Sequence, residues 1–348
     1  MSYQEYQPRT LVLMLSGQCN IICDHCIVNG SPYNHDRLSN ETITDTTTQA
    51  KENRIDHSIL YGGEPFLRMN DTLPYAMEAS FKQGLDVTVA TNGFWGRTEK
   101  FATDTMAKLE RIAQTYDRML SIYLSIDAHH AAFIPTESIA HIIKVFRLGS
   151  FPHLSLGLGT FDSDEDDKAY EKIFDLLRAS NIHLLESNDS TFVYPALPED
   201  LIEGTPENYP LIKKKLGLQE NETDERMWRV IKTRLEFGEH PLIAREFDSG
   251  FGDKRYLMFG NKHFTIDLMV DSIISAGRAQ KNKKFEIKTE YASNDNPYII
   301  YAPDGNAYGY PAQIAQQLFP VSYENKSLQQ VIYEVDNATN KLELSLLK

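Results

Sequence analysis

Short β-forming runs and helical stretches alternate at least five times between residues 10 and 190, and this alternation leaves the chain few folds. Thr10–Leu15, His57–Tyr61, Leu85–Ala90, Met119–Ile126 and Leu154–Phe161 read as strands, and Ile182–Leu185 begins another. Helical character covers Asp71–Gln83, stopped by Gly84, then Glu99–Tyr116, Thr136–Leu148 and Asp167–Ala179. Helices placed between strands act as crossovers, which parallel pairing requires. The expected class is therefore α/β with a mainly parallel sheet. The one long interruption lies at 27–56. With 348 residues, 41% of them apolar and 24% charged, the chain can bury a core without disulfide staples.

In a parallel barrel the chemistry gathers at the C-terminal ends of the strands. Four unusual segments fall there. Cys19-Asn-Ile-Ile-Cys23-Asp-His-Cys26 follows the first strand, and Gly62-Gly63-Glu64-Pro65 the second. Thr91-Asn92-Gly93 follows the third, and Ser125-Ile-Asp127 closes the fourth. The three cysteines are the only ones in the chain and cannot all pair with one another. Thiolates suit zinc or iron–sulfur clusters. A closed zinc site wants four ligands, usually as two separated pairs, and His25 is awkwardly placed between two of the cysteines. Three thiolates on a cubane would leave one iron open for chemistry. Iron–sulfur is the preferred reading, with zinc and a coincidental cysteine cluster as the alternatives.

Charge and hydropathy narrow the partners. There are 35 basic and 49 acidic residues, a formal charge of −14, which opposes general binding to a phosphate backbone. No apolar run approaches the roughly 18 residues of a membrane span. The run Leu11–Leu15 is short and follows a polar, acidic leader, so no signal peptide is expected, and Ser16–Cys19 is a poor lipoprotein site. A cytoplasmic location is expected, where thiols stay reduced.

The cysteine loop after strand one, Gly-Gly-Glu-Pro after strand two, and Ser125-Ile-Asp127 at the end of strand four together resemble the radical S-adenosylmethionine (radical SAM) superfamily over roughly residues 8–190. His25 matches the aromatic that the family prefers before the last cysteine. The resemblance implies a partial (βα)6 TIM-like barrel. It implies that Cys19, Cys23 and Cys26 ligate a [4Fe-4S] cluster whose fourth iron binds S-adenosyl-L-methionine. Gly62, Gly63, Glu64 and Pro65 would meet the methionine amino group, through backbone carbonyls and the Glu64 carboxylate. Asn92 and its turn would sit beside the cofactor. Ser125 would contact the methionine carboxylate or the ribose, and Asp127 would accept from a ribose hydroxyl or order the strand end. Gly157, within Leu156–Thr160, would lie near the adenine. The implied reaction is reductive cleavage to a 5′-deoxyadenosyl radical that abstracts a hydrogen atom from substrate, with a flavodoxin- or ferredoxin-like electron donor.

Asp127-x-x-His130 followed by Pro135 resembles a radical SAM subgroup, and places His130 at the substrate cavity as a proton donor or acceptor. The other reading is a histidine that caps or packs on the next helix. The acidic run Asp162–Asp167 suits a helix first turn. Residues 191–260 read as a mostly helical insertion with Pro195, Pro198, Pro206 and Pro210 near its start and a helix over Asp224–Phe237. Residues 261–348 carry Gly277-Arg278-Ala279, Ala302-Pro303-Asp304-Gly305 and Leu328, which resemble a SPASM/twitch extension, here without cysteines and so without an auxiliary cluster. The expected layout is a barrel core at 1–190, an α-rich insertion at 191–260 and a small α+β extension at 261–348. By family analogy the substrate is a peptide, with a nucleoside, sugar or other small metabolite as the alternative. A non-catalytic metal-binding or interaction protein on a degenerate barrel, zinc-stabilised or otherwise, is the other class.

Overall fold

The structure is a computed structural model that describes residues 9–161, 164–186, 192–236, 242–246, 255–258, 266–271, 298–309 and 320–346. Five parallel strands carry the N-terminal half: β1 (Arg9–Met14), β2 (Ile55–Tyr61), β3 (Asp86–Thr91), β4 (Leu120–Ser125) and β5 (Leu154–Phe161). Between and after them run α1 (Asn40–Ala50), α2 (Thr72–Lys82), α3 (Glu99–Tyr116), α4 (Ala128–Ala131), α5 (Thr136–Leu148) and α6 (Asp164–Ala179). Then come β6 (His183–Glu186), β7 (Phe192–Ala196), β8 (Leu201–Glu203), α7 (Tyr209–Leu216) and α8 (Asp224–Glu236). The remaining strands are β9 (Leu242–Glu246), β10 (Arg255–Met258), β11 (Ile266–Asp271), β12 (Tyr298–Tyr301), β13 (Asn306–Tyr308) and β14 (Val321–Ser322), before the C-terminal helix Leu328–Leu346.

Alternation within each strand decides which way side chains go. Leu11 and Leu13 of β1, Val87 and Val89 of β3, Leu120, Ile122 and Leu124 of β4, and Leu154, Leu156 and Leu158 of β5 join one buried core with the helices. Their period of two sends the intervening residues to the other face. That face holds a separate apolar group, in which Val12 and Met14 pack with Val28, Ile300 and Tyr308. The helices meet the sheet through matching stripes, such as Ala102, Met106, Leu109 and Ala113 of α3 at spacings of three and four.

The expected α/β class and parallel sheet are present, and two strands differ from the sequence reading. The strand beside β5 is β11, parallel to it, whereas the Ile182–Leu185 run forms β6, which pairs antiparallel with β7. On the other side β12 pairs parallel with β1. The parallel run is thus β12-β1-β2-β3-β4-β5-β11, and it does not close, because β13 continues one end and β7 the other. The stretch 191–260 adds strands β7 to β10 to its two helices.

Helix α1 lies in the 27–56 interval, where no element was expected. Its sequence, Asn-Glu-Thr-Ile-Thr-Asp-Thr-Thr-Thr-Gln-Ala, is poor in helix formers. It forms because Ser39 accepts from the Thr42 N–H at 3.0 Å, and because buried Thr46 and Thr47 return their hydroxyls to the carbonyls of Thr42 and Ile43 at 2.6 and 2.8 Å. The C-terminal helix is tied to the start of the chain by a bidentate Arg9–Asp336 pair at 2.8 and 2.9 Å, and Gln49 accepts from the Leu328 N–H at 2.8 Å. Of the extension motifs, Ala302–Gly305 turns β12 into β13, Leu328 opens the C-terminal helix, and Gly277–Ala279 falls outside the described residues. Among the described residues no helix is long and apolar enough to cross a membrane.

Ile122 is fully buried in the middle of β4, in the core that the sheet shares with the helices. Ile122→Ala is expected to destabilise the fold by about 2–5 kcal/mol, read as a lowered thermal unfolding midpoint.

Candidate active site

The loop after β1 and the loop after β2 are joined backbone to backbone. Leu15 N–H donates to the Tyr61 carbonyl at 2.8 Å, Gly63 N–H to the Ser16 carbonyl at 2.7 Å, and Glu64 N–H to the Gln18 carbonyl at 2.8 Å. The contact is too close for side chains. A Cβ on Gly63 would lie 2.1 Å from the Gln18 carbonyl oxygen, and one on Gly62 would lie 2.5 Å from that of Ser16. Gly62 also sits at φ +137°, a conformation that only glycine adopts readily. The two glycines are therefore required first by the neighbouring loop.

This join positions the cysteine loop. Cys19 N–H donates to Ser31 at 3.0 Å, and Cys26 N–H closes back on the Cys23 carbonyl at 3.2 Å. Cys19 and Cys23 are buried in one apolar group with Ile21 and Ile134, and Cys26 packs against it. Two donors address the sulfurs, Gly30 N–H to Cys26 Sγ at 3.3 Å and Asn92 Nδ2 to Cys19 Sγ at 3.9 Å. Asn92 Nδ2 also donates to Asn20 Oδ1 at 2.9 Å. Tyr61 stands beside the three thiols. Burial, and then the charges of Cys26, Cys23 and Cys19, push its phenol far above the ordinary range, so it remains an O–H donor.

Glu64 is almost completely buried, with 1% of its surface exposed. Its Oε1 accepts from Phe66 N–H at 3.0 Å and Thr91 Oγ1 at 2.8 Å, while Oε2 accepts from Asn92 N–H at 2.8 Å. The carboxylate thus ties the β2 loop to the end of β3, and Pro65 opens the one-turn helix Pro65–Arg68 behind it. Burial pushes the Glu64 carboxyl up to about 7, against the pull of Asn92, Phe66, Thr91 and His130. The sequence reading sent this carboxylate toward a ligand ammonium; in the structure both oxygens are taken by the chain's own donors.

Asp127, 2% exposed, caps the short helix α4. It accepts from the His130 N–H at 3.0 Å and meets His130 Nδ1 at 2.5 Å, with His25 Nε2 at 3.8 Å. Burial pushes this carboxyl up, but the hydrogen bond and charge of His130, with the charge of His25, outweigh that and hold it at about 2. Asp127 in turn raises His130 against the burial that lowers it. The rings of His129 and His130 lie 4.7 and 4.8 Å from that of His25. Ligand atoms of Cys23, His25 and His130 fall within 4.8 Å of one another, so His25 reaches the cysteine site despite its place in the sequence. Ser125 lines a small cavity with His130, Ala131 and Ile134.

The structure therefore brings together Cys19, Cys23, Cys26, Gly62, Gly63, Glu64, Pro65, Asn92, Asp127 and His130 through these contacts. Gly157 stands apart in the middle of β5, where a Cβ would come 2.7 Å from the Tyr123 ring. The sequence reading passed over Tyr61, Thr91 and Asn20. Of these only Thr91 carried a signal, as the residue opening the Thr-Asn-Gly turn.

Three thiols on one loop, two of them buried, two addressed by N–H donors and all beside a protonated phenol, fit an iron–sulfur cluster better than a closed zinc site. Thiolate ligands are tuned by such donors. A family model described as the Radical SAM superfamily matches residues 13–148, from within β1 to the end of α5. The chain contains a radical SAM domain. The radical SAM family implies a [4Fe-4S] cluster and S-adenosyl-L-methionine. A putative peptide biosynthesis protein, YydG of Bacillus subtilis (strain 168), is 28% identical over 151 residues, 43% of this chain and 45% of that protein. The match thus spans less than half of the relative's length. Among solved structures, native anSMEcpe with bound AdoMet and Cp18Cys peptide is 15% identical, with a TM-score of 0.25, over 64% of this chain and 80% of that one. An alanine racemase of Clostridium difficile 630 is 13% identical, with a TM-score of 0.23, over 51% of this chain and 46% of that one. Likeness at these TM-scores is too slight to bear on fold or activity.

Glu64→Gln puts an amide NH2 against donors that face an acceptor. It is expected to cost about 1–3 kcal/mol, read as a lowered thermal midpoint. A carboxyl raised on folding stabilises the fold fully below its unfolded value near 4.5, and that contribution is lost as pH rises through about 7. Wild-type stability measured against pH is expected to show this decline between those values, and Glu64→Gln to lack it.

Proposed function

We propose that the chain is a radical SAM enzyme that modifies a peptide. The observation carrying the reading is the cysteine loop locked by backbone hydrogen bonds to the glycine-rich loop. Cys19, Cys23 and Cys26 would hold the [4Fe-4S] cluster. When bound, the cluster supplies the electron that cleaves S-adenosyl-L-methionine to methionine and a 5′-deoxyadenosyl radical, which takes a hydrogen atom from substrate. The chain's own part is placement and insulation. Gly62 and Gly63 present backbone at close range, Asn92 and Gly30 donate toward sulfur, and Ile21 and Ile134 keep water from the thiols. Glu64 acts as a positioning residue for Asn92. Ser125 and Asp127 remain candidates for the cofactor side of the site, and His130, bonded by Asp127, which raises its pKa, for proton transfer. A flavodoxin- or ferredoxin-like protein would deliver the electron, in the cytoplasm.

The name of the Bacillus relative supports a peptide substrate. Residues 261–348 would then serve as a substrate-docking extension without a cluster of its own, in keeping with the absence of cysteine beyond Cys26.

Anaerobic reconstitution tests the reading. The loaded wild type is expected to bind about four irons per chain, as one cubane requires, and to release 5′-deoxyadenosine with a reductant. Alanine at Cys19, Cys23 and Cys26 together is expected to abolish both iron binding and release while the far-ultraviolet circular dichroism persists. Stoichiometric zinc without cleavage in the wild type would sink the assignment.

A further inference from the structure

The strand registers align one row of side chains on the sheet face turned away from the helices. Met14 lies beside Tyr61, Ala90 beside Tyr123, Tyr123 beside Gly157, and Gly157 beside Asp267. Ile266 belongs to the helix-side core, so the alternation of β11 turns Asp267 to the opposite face, with Tyr123. Near one end of the row, Tyr61 stands at the three thiols. The other end is a carboxylate four strands away, on β11.

Three observations single out this far end. Gly157 leaves room for the Tyr123 ring, which a Cβ there would strike at 2.7 Å, so the ring is seated against β5 between the thiol side and Asp267. Tyr123 feels the Asp267 charge, which together with burial raises its phenol and keeps it protonated. Asp267 is half-buried, and burial alone shifts its carboxyl upward; among the described residues no cation sits close enough to offset it. The rows beneath are polar and supply no such cation. They hold the Ser121–Ser155 hydroxyl pair at 2.8 Å and the His57–Thr88 pair at 2.9 Å, where burial lowers the pKa of His57. A partly desolvated carboxylate with no positive partner among the described residues is costly by itself, and a ligand cation offsets that cost. An aromatic ring beside it adds attraction for the same cation.

We propose that Asp267 and Tyr123 anchor a cationic side chain, lysine or arginine, of the peptide that the radical SAM site modifies. The proposal rests on the peptide reading above and gives that substrate a chemical signature. It makes Asp267 and Tyr123 specificity residues on the wall opposite the cysteine loop, and gives Gly157 the task of seating Tyr123.

Isothermal titration calorimetry under argon tests this on the reconstituted full-length chain with S-adenosyl-L-methionine present. The probes are the capped tripeptides acetyl-Ala-Lys-Ala-amide and acetyl-Ala-norleucine-Ala-amide. The lysine peptide is expected to bind at least about tenfold tighter, as a charge-assisted contact implies. The preference is expected to vanish in Asp267→Asn and to shrink in Tyr123→Leu, which removes the ring but keeps the carboxylate and so stays informative if the first variant does not fold. Equal binding of the two peptides to wild type, no detectable binding of the lysine peptide, or a preference that survives Asp267→Asn would each overturn the proposal. Release of 5′-deoxyadenosine by the loaded wild type is scored separately. Release without lysine preference removes the anchor alone, and lysine preference without release removes the radical SAM reading alone.

Discussion

The backbone contact between residues 15–18 and 61–64 is the constraint on which the rest of the site depends. Three hydrogen bonds across it fix the entry of the cysteine loop against the exit of β2. Because the contact is main chain to main chain, it tolerates no Cβ at Gly62 or Gly63. It also passes its geometry along. Glu64, placed by its bond to Gln18, uses both carboxylate oxygens to hold Thr91 and Asn92, and Asn92 then reaches Cys19 and Asn20. Three strand ends are thereby coupled through one buried acid. The loop that carries the sulfurs is thus held in place by local hydrogen bonding.

The sequence showed the scaffold well where burial imposes a simple period. Strands β1 to β5 alternate between a helix-side core and the opposite face, and their runs are unbroken, so they were legible. Helix α1 was not, because its buried positions include two threonines whose hydroxyls are satisfied by their own backbone. Apolar periodicity has no view of a polar group that brings its own partner. The identity of the strand beside β5 was hidden for another reason. Ile266–Asp271 lies roughly a hundred residues from its partner, and local pattern says nothing about which distant run completes a sheet edge.

At the site, residue type was legible and residue role was less so. The cysteine spacing pointed to a metal loop, and the surroundings of the three thiols agree with that. The glycines were read as room for a ligand; the structure shows that their first need is room for the loop next door. Glu64 looked like a partner for an ammonium; in the structure its oxygens accept from Phe66, Thr91 and Asn92. For Asp127-x-x-His130 the two readings converge, because the same carboxylate that caps α4 also bonds the imidazole and raises its pKa. Capping and chemistry share one hydrogen-bonded pair.

This division of labour has a consequence for where specificity can reside. The thiols, Glu64, Asn92 and Asp127 are committed to one another at the rim formed by β1 to β4. Their oxygens and donors are largely spent on internal contacts, so few remain to read a substrate. The far side of the same face is built differently, with hydroxyl pairs, a seated tyrosine and a carboxylate that burial destabilises. Such groups are costly to a fold and gain most from a ligand. A sheet of parallel strands can keep its reactive centre and its recognition groups on one face because its register fixes both in the same row. The pairing of β11 with β5 then lets residues far along the chain contribute to recognition without disturbing the cysteine loop.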